Sequence, residues 1–348
     1  MKLHFTSDYM EGAAPEILRK ISEINLNKHS GYGTDEICEN AGNLIRKTAK
    51  APDADVFFVS GGTQANAIVI DSVLRPYQGV IAATTGHVSG HEAGAIEYGG
   101  HKVLTIPQKD GKISAEEVEK CVEGYRQDEN HDHMVMPGMV YISQPTEYGT
   151  LYSAEELKKL SEVCHRYDVP LYMDGARLAY ALTKECRVND VDLPLIAECT
   201  DVFTIGGTKC GALFGEAIVI PKSGFIPHLF TMIKQHGALL AKGFLMGAEY
   251  EVFFRDDLYL RIGDSALIFA NRIREALDKK GYRQVVASPT NQIFVELTNE
   301  EYESLSEKVD MGFWEKPDDT HTVVRLATSF ATEEKDVDAL ISILEENK

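Results

Sequence analysis

The chain has 348 residues, 44% hydrophobic and 26% charged, the proportions of a soluble globular protein, which exclude collagen-like, coiled-coil and disordered readings. Thirty-five Lys and Arg stand against 54 Asp and Glu, a formal net charge of −19; a surface this acidic repels phosphate backbones and anionic lipid, which excludes nucleic acid and membrane as partners. The length predicts about two domains with a sizeable core, needing neither disulfides nor a structural metal.

From Met1 to Asp8 no charged stretch leads into an apolar run, so no secretory signal is expected. No segment approaches the roughly 18 uninterrupted apolar residues of a spanning helix. The six cysteines, Cys38, Cys121, Cys164, Cys186, Cys199 and Cys210, are scattered without a CxxC pair, the usage of reduced thiols in a cytoplasmic protein. Residues 13–50 read as helical, with Pro15 near one helix start and Thr34, followed by acids, as a plausible N-cap of another. Short apolar strands follow at Asp55–Val59, Val80–Ala83, Lys102–Ile106, Met139–Ser143, Val169–Met173 and Val202–Ile205, separated in most cases by helical patterns such as Ala115–Tyr125 and Ala154–Tyr167. Apolar strands divided by amphipathic helices predict an α/β fold, a mostly parallel sheet with helices on both faces. Residues 224–277 read as long helix. Strands at Asn291–Leu297 and Thr322–Ala327 and a helix over Ala331–Asn347 then predict a smaller α+β domain. The expected division is a large domain over 1–250, with segment 1–30 contributing to its site, and a small domain over 251–348.

Ligands of open α/β sheets sit at the carboxyl ends of the strands, and three of these ends carry chemistry. After Asp55–Val59 comes Ser60-Gly61-Gly62-Thr63-Gln64, where glycines and a helix start can present N–H groups to a phosphate; a plain tight turn is the alternative. After Val169–Met173 comes Asp174-Gly175-Ala176-Arg177. A carboxylate there needs a cation or several donors, unless it only caps a helix. After Val202–Ile205 comes Gly206-Gly207-Thr208-Lys209-Cys210-Gly211, in which Lys209 is either a surface-loop lysine or an amine prepared for imine chemistry. Together the three match what pyridoxal phosphate (PLP) needs: donors for its phosphate, a carboxylate for its pyridinium nitrogen and an amine for its aldehyde. His87 and His91 stand four apart, as a metal pair would, but neither a third ligand nor an HExxH pattern accompanies them, so no metal is expected. His131-Asp132-His133, in a polar run, reads as a solvated loop.

At this point a resemblance can be named. Ser7-Asp8 with Gly12-Ala13, Tyr32-Gly33-Thr34-Asp35, Ser60-Gly61-Gly62-Thr63, Gly86-His87 through Glu92-Ala93-Gly94, Asp174-Gly175-Ala176-Arg177, the Lys209 segment and Val324-Arg325-Leu326 resemble the threonine aldolase (β-eliminating lyase) family of fold-type-I PLP enzymes. Ser143 to Thr150, with Thr328-Ser329-Phe330-Ala331-Thr332, is closer to a branch containing phenylserine-type aldolases. The resemblance implies a PLP-dependent lyase that cleaves threonine, allo-threonine or related β-hydroxy-α-amino acids to glycine and an aldehyde. β-Elimination, racemisation and transamination are the alternatives the same fold supports.

The resemblance also implies roles. Lys209 would bond the coenzyme's aldehyde, Asp174 would pair its ring nitrogen, His87 would stack on its ring, and Gly62, Thr63 and Gln64 would hold its phosphate. Ser7, Arg177 and Arg325 would grip the substrate carboxylate. Tyr32, Lys234 and Lys242 would reach a site in a neighbouring subunit, making the protein a homodimer or homotetramer with shared sites. Many relatives carry a histidine near the substrate β-hydroxyl where this chain has Thr146, so His91 or an ordered water is the expected base.

Overall fold

The structure, a computed structural model, describes residues 2–184 and 190–346; Cys186 and the last helical position expected, Asn347, lie outside them. In chain order the strands are β1 (Leu3–His4), β2 (Asp55–Val59), β3 (Gln78–Ala83), β4 (Lys102–Ile106), β5 (Met136–Ser143), β6 (Leu171–Asp174), β7 (Val202–Gly206), β8 (Glu216–Ile220), β9 (Arg283–Gln284), β10 (Gln292–Thr298), β11 (Val309–Asp310), β12 (Gly312–Glu315) and β13 (His321–Ala327).

A seven-stranded sheet has the order β2-β8-β7-β6-β5-β3-β4. Its strands alternate side chains between two buried faces. Ile81, Val140 and Ile142 point into one apolar cluster, and Val80, Ala82, Met139 and Tyr141 into the other. Burial on both sides is why these strands read as continuous apolar runs. Strands β3 to β7 run parallel, whereas β8 is antiparallel to both β2 and β7. Sequence reasoning missed β8, although Ala217–Ile220 is an unbroken apolar run.

The long helix expected over 224–277 is a correction. It is broken into helices Leu229–Gln235, Phe244–Arg255 and Asp264–Lys279. Gly237 (φ 68°) and Asp257 (φ 52°) take left-handed backbone between them, which ends a right-handed helix. Thr34 is corrected as well: the cap of helix Glu36–Thr48 is Asp35, whose carboxylate accepts from the N–H groups of Ile37 (3.1 Å) and Cys38 (3.0 Å). Pro15 is the first residue of helix Pro15–Ile24.

Strands β12-β13-β10-β9 form a four-stranded antiparallel sheet. Its core includes Ile273, Leu277, Ile293, Val324 and Leu340, so helices Asp264–Lys279 and Glu334–Glu346 pack on it. The amino terminus belongs with this unit: β1 pairs with β11, and Phe5 is buried in the same cluster. Residues 6–14 therefore lead from this two-stranded pairing beside the small sheet to the carboxyl ends of the large one, where Asp8 meets Arg177 and the Ala14 N–H donates to the Gly211 carbonyl. His131–His133 forms one exposed 3-10 turn. No helix among the described residues is long and apolar enough to cross a membrane.

Candidate active site

Asp174 ends β6, and Lys209 follows the adjacent β7 by three residues. The two strand ends approach closely because glycine stands where they cross. A Cβ on Gly175 would lie 2.0 Å from the Thr204 carbonyl oxygen, and one on Gly206 would lie 2.3 Å from that of Ala176. Neither backbone could tolerate a side chain there. Asp174 and Lys209 consequently line one cavity of about 210 Å³, with Gly61, Gly62 and Thr63 at another wall.

Three donors meet the buried Asp174 carboxylate. Tyr141 Oη (2.7 Å) and Asn66 Nδ2 (3.0 Å) donate to Oδ2, and the Ala176 N–H donates to Oδ1 (2.8 Å). The charge is met by hydrogen bonds rather than by a cation. Asp174 does not cap the helix that follows; Leu178–Ala181 starts after Arg177 without a side-chain cap. Asn66 also donates to Glu92 Oε1 (2.7 Å), which meets His87 Nδ1 at 2.7 Å. Glu92, with no side-chain exposure, thus fixes the His87 ring at the cavity wall. The His87 N–H donates to Glu147 Oε1 (2.8 Å), as does the Ser143 hydroxyl (2.8 Å). Burial raises the Glu147 carboxyl above its usual value.

The helix Gly62–Val73 begins at the cavity with no side-chain cap. Gln64 does not line the cavity; its side-chain oxygen accepts from the Ser60 hydroxyl (2.8 Å). Lys209 Nζ makes no hydrogen bond or ion pair among the described residues, while Tyr180 Oη donates to its carbonyl (2.8 Å).

An adjoining cavity of about 320 Å³ shares His87, Glu147, Arg177 and Lys209 with the first and adds Tyr9, His91, Gln292, Trp314 and Arg325. Arg325 donates to Gln292 Oε1 (3.2 Å) and the Thr6 carbonyl (3.0 Å), but no carboxylate among the described residues pairs with it. Burial, then the neighbouring Arg177, lowers its pKa, the mark of a cation short of an anion. Arg177 lines both cavities; its Nε and Nη2 are bonded to Asp8, which leaves the opposite Nη1–Nη2 edge of the guanidinium for a substrate carboxylate. Ser7 is buried and lines neither cavity; its neighbour Asp8 makes the contact.

His91 lies 5.9 Å from the His87 ring and 6.0 Å from that of Trp314, centroid to centroid. Burial, His87 and Arg325 together lower its pKa. Thr146 lines the inner cavity, fully buried, with its hydroxyl 2.6 Å from that of Thr150. Tyr32 lies elsewhere, at a separate cavity, with Lys234 Nζ 4.7 Å from its ring centroid; Tyr32 and Lys242 are exposed. No cluster of three metal-ligating side chains occurs among the described residues.

Sequence reasoning missed Asn66, Glu147, Trp314 and Glu216 as site residues. Two left a signal: Asn66 is an amide in an apolar helix, and Glu216 opens an otherwise apolar strand.

Residues 4–302 match the family model described as beta-eliminating lyase. The chain is 31% identical over 304 residues to the low specificity L-threonine aldolase of Pseudomonas aeruginosa, covering 86% of each chain. It is 42% identical to the solved structure of Leishmania major threonine aldolase, with a TM-score of 0.94 and 99% of each chain covered. Aspartate aminotransferase from Thermus thermophilus, at 13% identity and a TM-score of 0.72 over 100% of this chain and 92% of that one, shares the fold.

Proposed function

The chain belongs to the β-eliminating lyase family, and on that premise we propose that it is a PLP-dependent aldehyde-lyase cleaving L-threonine, L-allo-threonine or related β-hydroxy-α-amino acids to glycine and an aldehyde. The observation that carries this reading is a cavity lined by both Lys209 and Asp174, adjoining the guanidinium of Arg325, with which no carboxylate among the described residues pairs.

The residues present fit the coenzyme. The uncapped helix start at Gly62 and Thr63 offers N–H groups and a positive helix end to a phosphate. Asp174, satisfied by three donors, offers a carboxylate to a protonated ring nitrogen, and Lys209 offers an unbonded amine to the aldehyde. When bound, PLP supplies a protonated ring that accepts the electron pair of a bond broken at the substrate Cα.

The protein's own part is orientation and proton transfer. Arg325 would hold the substrate carboxylate, fixing the rotation of the substrate about Cα and so which of its bonds is presented for cleavage. Arg177, anchored by Asp8, adds positive charge beside it. His87, fixed by Glu92, offers a flat imidazole for stacking. His91 takes the β-hydroxyl proton; its lowered pKa keeps it unprotonated at neutral pH. The shared-site reading for Tyr32, Lys234 and Lys242, and with it a homodimer or homotetramer, is supported by their exposure away from their own chain's cavity. A cytoplasmic location is supported by unpaired Cys38, Cys121, Cys164, Cys199 and Cys210.

The test is product identity from a panel of L- and D-β-hydroxy-α-amino acids with serine and alanine as controls. Glycine and an aldehyde in equal amounts are expected. Pyruvate from serine or a keto acid from alanine, without aldehyde release, would reject the reading.

A further inference from the structure

Glu216 takes no part in the chemistry described above, yet it is 3% exposed and lines the cavity. It opens β8, directly opposite Val59 on one side and Gly206 on the other. Those neighbours lead into Ser60-Gly61-Gly62-Thr63 and into the Lys209 segment. The side chain therefore stands between the phosphate cradle and the lysine. Its Oε1 lies 4.0 Å from where a Cβ on Gly62 would be, and its Oε2 is buried with no hydrogen-bond partner. A carboxylate beside a bound phosphate would repel it. A carboxyl group holding its proton would instead be a donor where an anion needs one.

Resting on the coenzyme reading above, we propose that Glu216 is a neutral acid of the phosphate cradle, its carboxyl donating a hydrogen bond to the coenzyme's phosphate. The surroundings favour the neutral form. Burial raises its pKa well above the usual value, Lys209 opposes this, and the Asp174 charge reinforces it. Cys210, Tyr172, Tyr250 and Tyr259 also face it. Lys209 is the one cation in this set, and imine formation with the coenzyme would divert that amine from pairing with Glu216. The N–H groups of the first helical turn then supply the phosphate's other donors.

The experiment titrates the apoprotein with PLP and with pyridoxal, which lacks the phosphate, between pH 6 and 9, comparing wild type with Glu216→Gln. The amide keeps a donor and cannot ionise, so at pH 6 the two proteins should bind PLP within about threefold of each other. Wherever Glu216 ionises as pH rises, wild-type affinity for PLP should fall relative to the variant by up to about tenfold per pH unit, and the ratio should stay near one while the acid remains neutral. The pyridoxal ratio should stay flat. Glu216→Ser, neutral and smaller, provides a second non-titrating chain expected to give the same ratio slopes. PLP binding tighter in Glu216→Gln than in wild type by more than about tenfold already at pH 6, with no such gain for pyridoxal, overturns the proposal, because Glu216 would then be a charge repelling the phosphate. Equal non-zero slopes for PLP and pyridoxal overturn it too, because Glu216 would then act on Lys209. Absence of saturable PLP binding by the wild type, by contrast, removes the coenzyme reading itself.

Discussion

The Asp8 carboxylate accepts two hydrogen bonds from Arg177, 2.6 Å from Nε and 2.9 Å from Nη2, although the residues are 169 positions apart. Both side chains are nearly sealed from solvent, and Asn291 Nδ2 donates a third bond (2.9 Å) to the same carboxylate. The amino-terminal segment is thereby tied to the end of β6, with its first strand paired to β11 and its acid bonded to a cavity-lining arginine.

Asp8→Asn should therefore destabilise the protein and weaken substrate binding together. Burial alone would raise the Asp8 carboxyl; the Arg177 charge and hydrogen bonds outweigh it and hold the carboxyl below its usual value. A depressed folded-state pKa stabilises above the unfolded value, about 3.9, and that contribution disappears as pH falls through the folded value. Losing one partner of a buried pair costs about 3–5 kcal/mol, less where the amide keeps a hydrogen bond. Urea unfolding should show a loss of about 2 kcal/mol or more at pH 7, shrinking below about pH 4. KM for L-threonine should rise with it. An unchanged midpoint at pH 7 would contradict the role given to this pair.

Arg325→Lys should not be conservative. The guanidinium offers a planar fork to a carboxylate, whereas an ammonium offers a point charge. Losing a charge-assisted hydrogen bond of about 1.5–3 kcal/mol predicts a fall in kcat/KM of about 10- to 100-fold. Coenzyme absorbance should not change, because Arg325 lines only the outer cavity. Wild-type kcat/KM in the variant would remove Arg325 from the carboxylate site.

His91→Phe preserves an aromatic ring beside Trp314 but removes the base. Turnover should fall about 10²- to 10⁴-fold. A general base must be unprotonated, and the His91 pKa is lowered, so the acid limb of the wild-type profile should lie below the usual histidine value of about 6.5. That limb should be absent from the variant's residual activity. A variant with full turnover and the same limb would assign the proton to another group.

Glu249 gives a pH dependence of stability unconnected with catalysis. Burial pushes its carboxyl up to about 8, against the Leu213 and Phe214 backbone N–H groups that favour the ionised form. The unfolded chain loses this proton near 4.3 and the folded one near 8, so stability falls as pH rises through that window, by up to about 1.4 kcal/mol per pH unit. Glu249→Gln should lessen the drop in Tm between pH 5.5 and 8. Identical pH slopes would contradict the buried neutral acid.

Asp174, Lys209 and the Gly62 cradle were legible in the sequence because each signal is local: a carboxylate ending an apolar strand, an amine among glycines, glycines opening a helix. The parallel strands were legible for the same reason. The Asp8–Arg177 pair and the chain from His87 through Glu92 and Asn66 to Asp174 were not, since they join residues far apart in sequence that only the assembled sheet brings together. The antiparallel β8 had a usable clue. Residues 207–215 are too few for the crossover of a dozen or more residues that a parallel strand needs, so the next strand had to run back. The broken helix over 224–277 turned on backbone angles at Gly237 and Asp257 that apolar periodicity does not encode.

The most direct measurement is borohydride reduction of the holoprotein followed by peptide mapping by mass spectrometry. One coenzyme adduct per chain, on the peptide carrying Lys209 and absent from Lys209→Ala, is the predicted result. An adduct on a different lysine, or a reduced protein with no adduct while aldehyde release persists, would contradict the account.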